Sequence, residues 1–241
     1  VCSRRTSANM KKILVLVEGP NDKLRLIKIE DFFDSKKAIL FPMGGDWLQG
    51  ANYSTKYKDK IISALTKDKS HDFEDFDEIV QICDTDGCFI DNSRVIEDKT
   101  IKKIEYGADY IKTTYPKADL TRKDDKANNI NSILKLNDIR LFYNSCNIDH
   151  VFDNKANLGS SEKKNLALCA KRRYDANNLK LIEELHDANA SKTLDHKASW
   201  DYVKTGFNSL SRCSNVIIFL YEHIELLKPD IKKKLLDLKG K

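Results

Sequence analysis

The apolar positions of this chain fall into two alternating periods along its first half. Residues 12–17 (KILVLV) form an unbroken apolar run rich in branched side chains, the pattern of a strand buried on both faces. Glu18–Gly19–Pro20–Asn21–Asp22 interrupts it, and Leu24, Leu26, Ile27, Ile29 and Phe32 then recur at helical spacing to about Phe33. A second strand is predicted at residues 38–41, closed by Pro42–Met43–Gly44–Gly45, and a second helix at residues 58–65. A third strand, residues 78–83 (EIVQIC), runs straight into Asp84–Thr85–Asp86–Gly87, and a fourth is expected at residues 139–143 (IRLFY). This alternation predicts an α/β fold with a mostly parallel, Rossmann-like sheet of about four strands flanked by helices.

Between the third and fourth strands, residues 92–136 are polar and read as a helical insertion. From Ser161 onward the pattern is helical at residues 166–168, 179–185 and 216–227, and the chain closes on a lysine-rich stretch, 232–241, read as a basic tail. The expected organisation is a leader or disordered segment at 1–10, a core at 11–155, and a helical C-terminal region at 156–241 packed on that core. No internal repeat and no Pro/Gly/Ser-rich linker suggests a split into two domains.

Hydrophobic residues make up 41% and charged residues 33% of the chain, a balance that excludes an extended disordered protein. The longest apolar run, residues 216–221, is far below the roughly 20 residues that span a bilayer. A net charge of +5 is compatible with a polyanionic partner such as nucleic acid without requiring one. The cysteines, Cys2, Cys83, Cys88, Cys146, Cys169 and Cys213, show no C-x-x-C pair, so they read as thiols of a reducing, cytoplasmic compartment.

The candidate chemistry lies in the acids. Glu18 and the pair Asp84 and Asp86 each follow the C-terminal end of a buried strand, the edge where open α/β sheets form ligand crevices. With the first and third strands adjacent, three carboxylates meet there and repel one another unless a cation joins them. Such oxygen-rich sites suit Mg²⁺ or Mn²⁺, and two such ions roughly 3.5–4 Å apart stabilise the attacking and leaving oxygens of a phosphoryl displacement. Each acid also has a plainer reading: a first-turn helix acid for Glu18 and Asp22, an Asp-Gly turn for residues 84–87. Asp149 and His150 read as a structural pair, and Gly44–Gly45 as a strand-end turn or a place of close phosphate approach. Lys171–Arg172–Arg173 and Lys232–Lys234 are solvated helix faces or contacts to a nucleic-acid backbone. His71, His186, His196 and His223 have no metal-ligand spacing.

Strand–Glu18–Gly19–x–x–Asp22, strand–x–Gly44–Gly45 and strand–Asp84–x–Asp86–Gly87 together resemble the Toprim domain of topoisomerases, primases and OLD-family nucleases, over about residues 11–143. The resemblance implies a Toprim fold in which Glu18 does general acid/base work, Asp84 and Asp86 hold Mg²⁺ or Mn²⁺ with Glu18 beside them, and Asp22 is an auxiliary ligand. No topoisomerase tyrosine context or primase zinc motif is present, which favours the small nuclease branch, metal-dependent endonucleases of DNA or RNA. Within it, Asn144–Ser145–x–x–Ile148–Asp149 is similar to a segment of RloB-like and abortive-infection proteins of bacterial anti-phage systems. Asp149 becomes a second auxiliary acid there, although a glutamate is usual and the expected proline is missing. That likeness implies a defence effector in the bacterial cytoplasm, working beside a partner ATPase. Asp84–Thr85–Asp86–Gly87 also resembles the D-x-D-G of haloacid-dehalogenase phosphatases, with Asp84 as nucleophile and Asp124–Asp125 as a late acidic motif. That reading leaves Glu18 and Asp22 without a purpose, and Cys88 stands where threonine is usual. A non-catalytic Toprim-like binding module is the third alternative.

Overall fold

The run of branched residues after Met10 forms strand β1 (Lys11–Val17), the centre of everything that follows. The computed structural model describes residues 10–45, 47–48, 53–68, 71–136 and 138–239, so all but the last residue of the expected leader lies outside it. Strands β2 (Ala38–Gly44) and β3 (Glu78–Asp84) come next. A small second sheet of β4 (Val95–Glu97), β5 (Glu105–Tyr106) and β6 (Ile111–Thr113) separates them from β7 (Ile139–Asn144). The main sheet runs β2-β1-β3-β7 with every pair parallel. This is a Rossmann-like α/β fold.

The chain leaves β1 in one direction to reach β2 and then passes back over β1 to β3. Right-handed crossovers taken in opposite directions place their helices on opposite faces. Helix α1 (Pro20–Leu26), prolonged by a 3₁₀ stretch at Ile27–Phe32, therefore covers one face, and α2 (Tyr53–Asp68) covers the other. The strand alternation agrees: Ile13, Val15 and Val17 share a core with Leu26 and Phe32. Leu14 and Leu16 pack with Tyr57, Ile61 and Leu65 on the other side. Being buried on both faces is what makes β1 apolar at every position from Ile13 to Val17. It also makes the gap between β1 and β3 the switch point of the sheet, where a crevice opens beyond the strand ends.

Helix α3 (Pro116–Ile133) lies with α2, burying Ile130 and Ile133. The C-terminal region packs on the core as α4 (Ile148–Asp153), α5 (Ser160–Ala176), α6 (Leu179–Asp187), α7 (His196–Val203), α8 (Val216–Glu222) and α9 (Pro229–Lys239). Trp200 and Val203 of α7 join the α2 face, while apolar side chains of the other five helices fill the α1 face. Among the described residues no helix is long and apolar enough to cross a membrane.

Three expectations are corrected. The insertion at 92–136 is helical only in its second half; its first half is the small sheet, whose strands of two or three residues are too short to show a period. The basic tail is α9, which buries Ile231, Leu235 and Leu238 at helical spacing and turns Lys232 and Lys234 toward Glu225 and Glu183. The helix expected at 216–227 divides into α8 and a 3₁₀ turn at Ile224–Leu226.

One buried ion network ties the sheet to its C-terminal cover. Glu78 Oε2 receives Lys11 Nζ at 2.6 Å and faces His223 Nε2 at 2.8 Å. Desolvation disfavours the Glu78 carboxylate, but the bonds from His223 and Lys11 outweigh it and bring its pKa down to about 2 from 4.5. A lowered acid pKa gives stability that is complete above pH 4.5 and lost as pH falls toward about 2. Glu78→Gln is expected to flatten that acid loss and to destabilise the protein at pH 7 by about 1–2 kcal/mol, the linkage value discounted for solvent screening. Urea midpoints at pH 7 and pH 3 measure both effects.

Candidate active site

Parallel pairing fixes where the acids emerge. Val17 sits opposite Ile82, so Glu18 leaves β1 beside Cys83 and Asp84. Asp84 ends β3 in register with Asn144 of β7. The next residues are anchored through the backbone. Thr85 N donates to Asn144 O at 2.9 Å, and Asp86 N to Cys146 O at 2.7 Å. The buried Thr85 hydroxyl donates to Ser209 O and accepts from Cys146 N, both at 2.9 Å. Asp86 takes φ +48°, a left-handed conformation that aspartate tolerates better than most residues. Gly87 follows at φ +66°, and a Cβ there would lie 2.5 Å from Leu210 Cδ2. Only glycine fits both the turn and the packing.

Lys126 of α3 reaches into this edge. Its Nζ lies 3.1 Å from Glu18 Oε1 and donates to Asp86 Oδ2, so one ammonium joins two of the acids. The Tyr106 hydroxyl meets the other Asp86 oxygen at 3.4 Å. Desolvation pushes the Glu18 carboxyl up to about 7, with Lys126 opposing and Asp86 and Asp22 adding repulsion. Asp84 is driven well above the usual carboxylate range by desolvation and then by Asp22, Glu18 and Asp86. For Lys126, desolvation works against the ammonium but Asp86 and Glu18 outweigh it, holding the proton well above the usual lysine range. Four carboxylates thus share one field.

Asp22 stands in the first turn of α1 and its carboxyl folds back onto Gly19. Desolvation and the nearby Asp149 raise its pKa against Lys163. Asp149 lies one step further back and is buried. Its Oδ1 accepts from Arg25 Nη2 at 2.9 Å, and Lys163 Nζ lies 3.4 Å from Oδ2. The same Arg25 nitrogen bonds Asp153. The structure therefore places Asp149 in an ion-pair network behind Asp22, and its partners are Arg25 and Lys163, not His150. Gly44–Gly45 serves the strand-end turn, with Gly45 N donating to Val17 O at 2.9 Å.

Sequence reading missed Lys126, Tyr106 and Arg25. A faint signal existed for the first: Arg122 and Lys126 are one helical turn apart in an otherwise mixed polar stretch. Tyr106 sits on a two-residue strand that no period could reveal, and Arg25 looked like any polar position of a first helix.

Hard oxygen donors dominate the edge; Lys126 Nζ donates to Glu18 Oε2 at 3.2 Å, and the buried Glu18 Oε1 beside it makes no hydrogen bond of its own. Burial first, and then the neighbouring acids, raise the carboxyl pKa values, and a cation at the edge would offset both. On those grounds the residues fit a Mg²⁺ or Mn²⁺ ion, with Glu18, Asp84 and Asp86 as its holders and Asp22 within the same field. In this arrangement the Lys126 ammonium stands between two of them, and among the described residues no group of three or more His, Cys, Asp or Glu is set to hold an ion. No family model matches this chain, and neither a curated protein nor a solved structure matches it.

A raised acid pKa acts on stability in the opposite sense to that of Glu78. The folded state binds the extra proton, so stability falls as pH rises from about 4.5 to about 7. Glu18→Gln removes that loss and is expected to gain up to about 3 kcal/mol over wild type between pH 5 and pH 8. Melting curves of both proteins at the two pH values measure the difference.

Proposed function

We propose that this chain is a Toprim-type, divalent-metal-dependent nuclease that hydrolyses phosphodiester bonds of DNA or RNA. The observation that carries this reading is the meeting of Glu18, Asp22, Asp84 and Asp86 at one rim of the parallel sheet, at its switch point. Mg²⁺ or Mn²⁺ bound there supplies Lewis-acid stabilisation of charge on the phosphoryl oxygens. Glu18, at the end of β1 beside the ion, takes or gives a proton as the general acid/base. Asp84 and Asp86 hold their carboxylates at fixed positions through the Thr85 anchor, so little reorganisation is needed as charge develops. Lys126 offers a positive group beside the same edge for a phosphate oxygen.

The resemblance to anti-phage proteins supports a place in phage defence, with a partner ATPase as the natural regulator and the bacterial cytoplasm as the setting. A haloacid-dehalogenase phosphatase would give Glu18 and Asp22 nothing to do, and their place at the same edge favours the nuclease.

Incubation of plasmid DNA and of structured RNA with Mg²⁺ or Mn²⁺ tests this. Cutting should stop with a chelator, fall about 10²–10⁴-fold in Glu18→Gln, and be abolished in Asp86→Ala, whose melting temperature stays close to that of wild type. Cutting that persists in Asp86→Ala, or turnover confined to p-nitrophenyl phosphate, overturns the proposal. Mn²⁺ at 100-fold above its dissociation constant should also stabilise the wild type by about 2.7 kcal/mol. That gain should be absent in Asp84→Asn.

A further inference from the structure

Beside the acidic rim lies a cavity of about 360 Å³ that metal and phosphate chemistry leaves unexplained. Its size falls within the roughly 300–1,000 Å³ of small-molecule sites. One end is the rim itself, with Glu18, Asp86 and Lys126. The opposite wall comes from the small sheet and the loop before β5, where Val95, Ile104 and Tyr106 face the cavity. These three are only partly buried, packed beside Ile90, Ile111 and Leu210. Helix α3 lines the cavity with Asp119, Arg122, Lys123 and Asp125; Arg122 is paired with Asp119, and Lys123 Nζ lies 3.1 Å from Asp124. A phosphate at the rim needs cations and ordered donors, and it gains nothing from an apolar wall.

That wall is held in place. Asn157, in the loop before α5, accepts from Tyr106 N through Oδ1 at 2.8 Å and donates from Nδ2 to Tyr106 O at 3.0 Å. A side-chain amide thus takes the part of a neighbouring strand and fixes the tyrosine backbone. From the ring side, the phenol hydroxyl meets Asp86 at 3.4 Å. The aromatic ring is therefore tethered at both ends, between the acidic rim and the apolar wall. A ring tethered in this way is a platform for a flat, apolar-faced ligand.

We infer that this cavity receives one unstacked nucleobase, whose own phosphate lies at the acidic rim, so that the substrate is single-stranded or frayed nucleic acid. Stacked and paired bases of a duplex present only their edges, and a duplex phosphate at the rim would leave the apolar wall against water. An unpaired base has a π-face for Tyr106, and its sugar-phosphate passes the cations of α3. The single-strand part rests on the nuclease reading; the base part does not.

Mononucleotides separate the two. In Mn²⁺, calorimetric titration with the four nucleoside 5′-monophosphates, ribose 5-phosphate and inorganic phosphate isolates what a base adds. At least one mononucleotide should bind about tenfold tighter than ribose 5-phosphate. Tyr106→Ala should erase that advantage and Tyr106→Phe should retain it. Should Tyr106→Ala fail to fold by circular dichroism, Ile104→Lys places a charge in the same wall and should erase the advantage instead. With Ca²⁺ in place of Mn²⁺, a short single strand should bind at least tenfold tighter than the blunt duplex of the same sequence by fluorescence anisotropy. Equal binding of mononucleotides and ribose 5-phosphate overturns the assignment, even where the protein cuts DNA or RNA. So does a base advantage that survives both Tyr106→Ala and Ile104→Lys. Duplex bound as tightly as single strand overturns the substrate class. A base advantage in a protein that cuts no polymer leaves the cavity assigned and removes the nuclease reading.

Discussion

Repulsion among carboxylates that cannot move apart is the constraint on which the rest of this structure depends. Glu18 and Asp84 leave adjacent parallel strands, so their separation is set by the sheet and not by their side chains. Asp86 is fixed by the backbone bond to Cys146 and by the Thr85 anchor beneath it. In a flexible loop these groups would relax into water. Here they remain, and burial, with their mutual repulsion added to it, raises the proton affinity of Glu18, Asp22 and Asp84. A fold that tolerates this is keeping an unfavourable arrangement of charge at one point, which is the usual mark of a site selected for something other than stability.

Two counter-charges moderate the repulsion at different depths. Lys126 enters from α3 and meets Glu18 and Asp86 at the surface of the rim. Arg25 is buried behind it and holds Asp149 and Asp153 against α1. The second pair is structural in the strict sense: a buried arginine between two carboxylates fixes how α4 packs on α1, and removing one partner would strand a charge in the core. The first is largely buried as well, with the Lys126 side chain 14% and the Glu18 side chain 19% exposed, and its ammonium stands between the acids proposed to hold a metal ion. On the proposed reading Lys126 stands in for the missing positive charge until an ion binds, and is then free for an anionic substrate.

How much of this could be read from residues alone follows from the length of each pattern. Strands β1, β2, β3 and β7 are short, mostly apolar runs with turn residues at their ends, and the order Glu18, Asp84, Asp86 along them puts three carboxylates at one edge once β1 and β3 are neighbours. The register that joins Val17 to Ile82 is a long-range fact, and the sequence could supply it only as a condition. The small sheet was illegible because its strands show no alternation over two or three residues. Helix α9 was read as a tail because lysines dominate its composition, although Ile231, Leu235 and Leu238 carry the helical period. Lys126 was lost for a different reason: one lysine among many has no signature until the fold brings it to an acid.

The division of labour between sheet and insertion follows from these facts. The sheet edge contributes the acids, and their chemistry is the same whatever phosphate arrives. Lys126, the cations of α3, Tyr106 and the apolar wall all come from the insertion between β3 and β7. That segment is joined to the core through the buried Ile130 and Ile133 of α3, the Asn157 amide and the Gly87 turn pressed against Leu210 and Ile111. Changes in the insertion can therefore alter what enters the cavity while the carboxylates keep their geometry. On the proposed reading selectivity and reactivity are carried by different parts of the chain, and the Asp86 carboxylate, bonded to both Lys126 and Tyr106, is where the two meet.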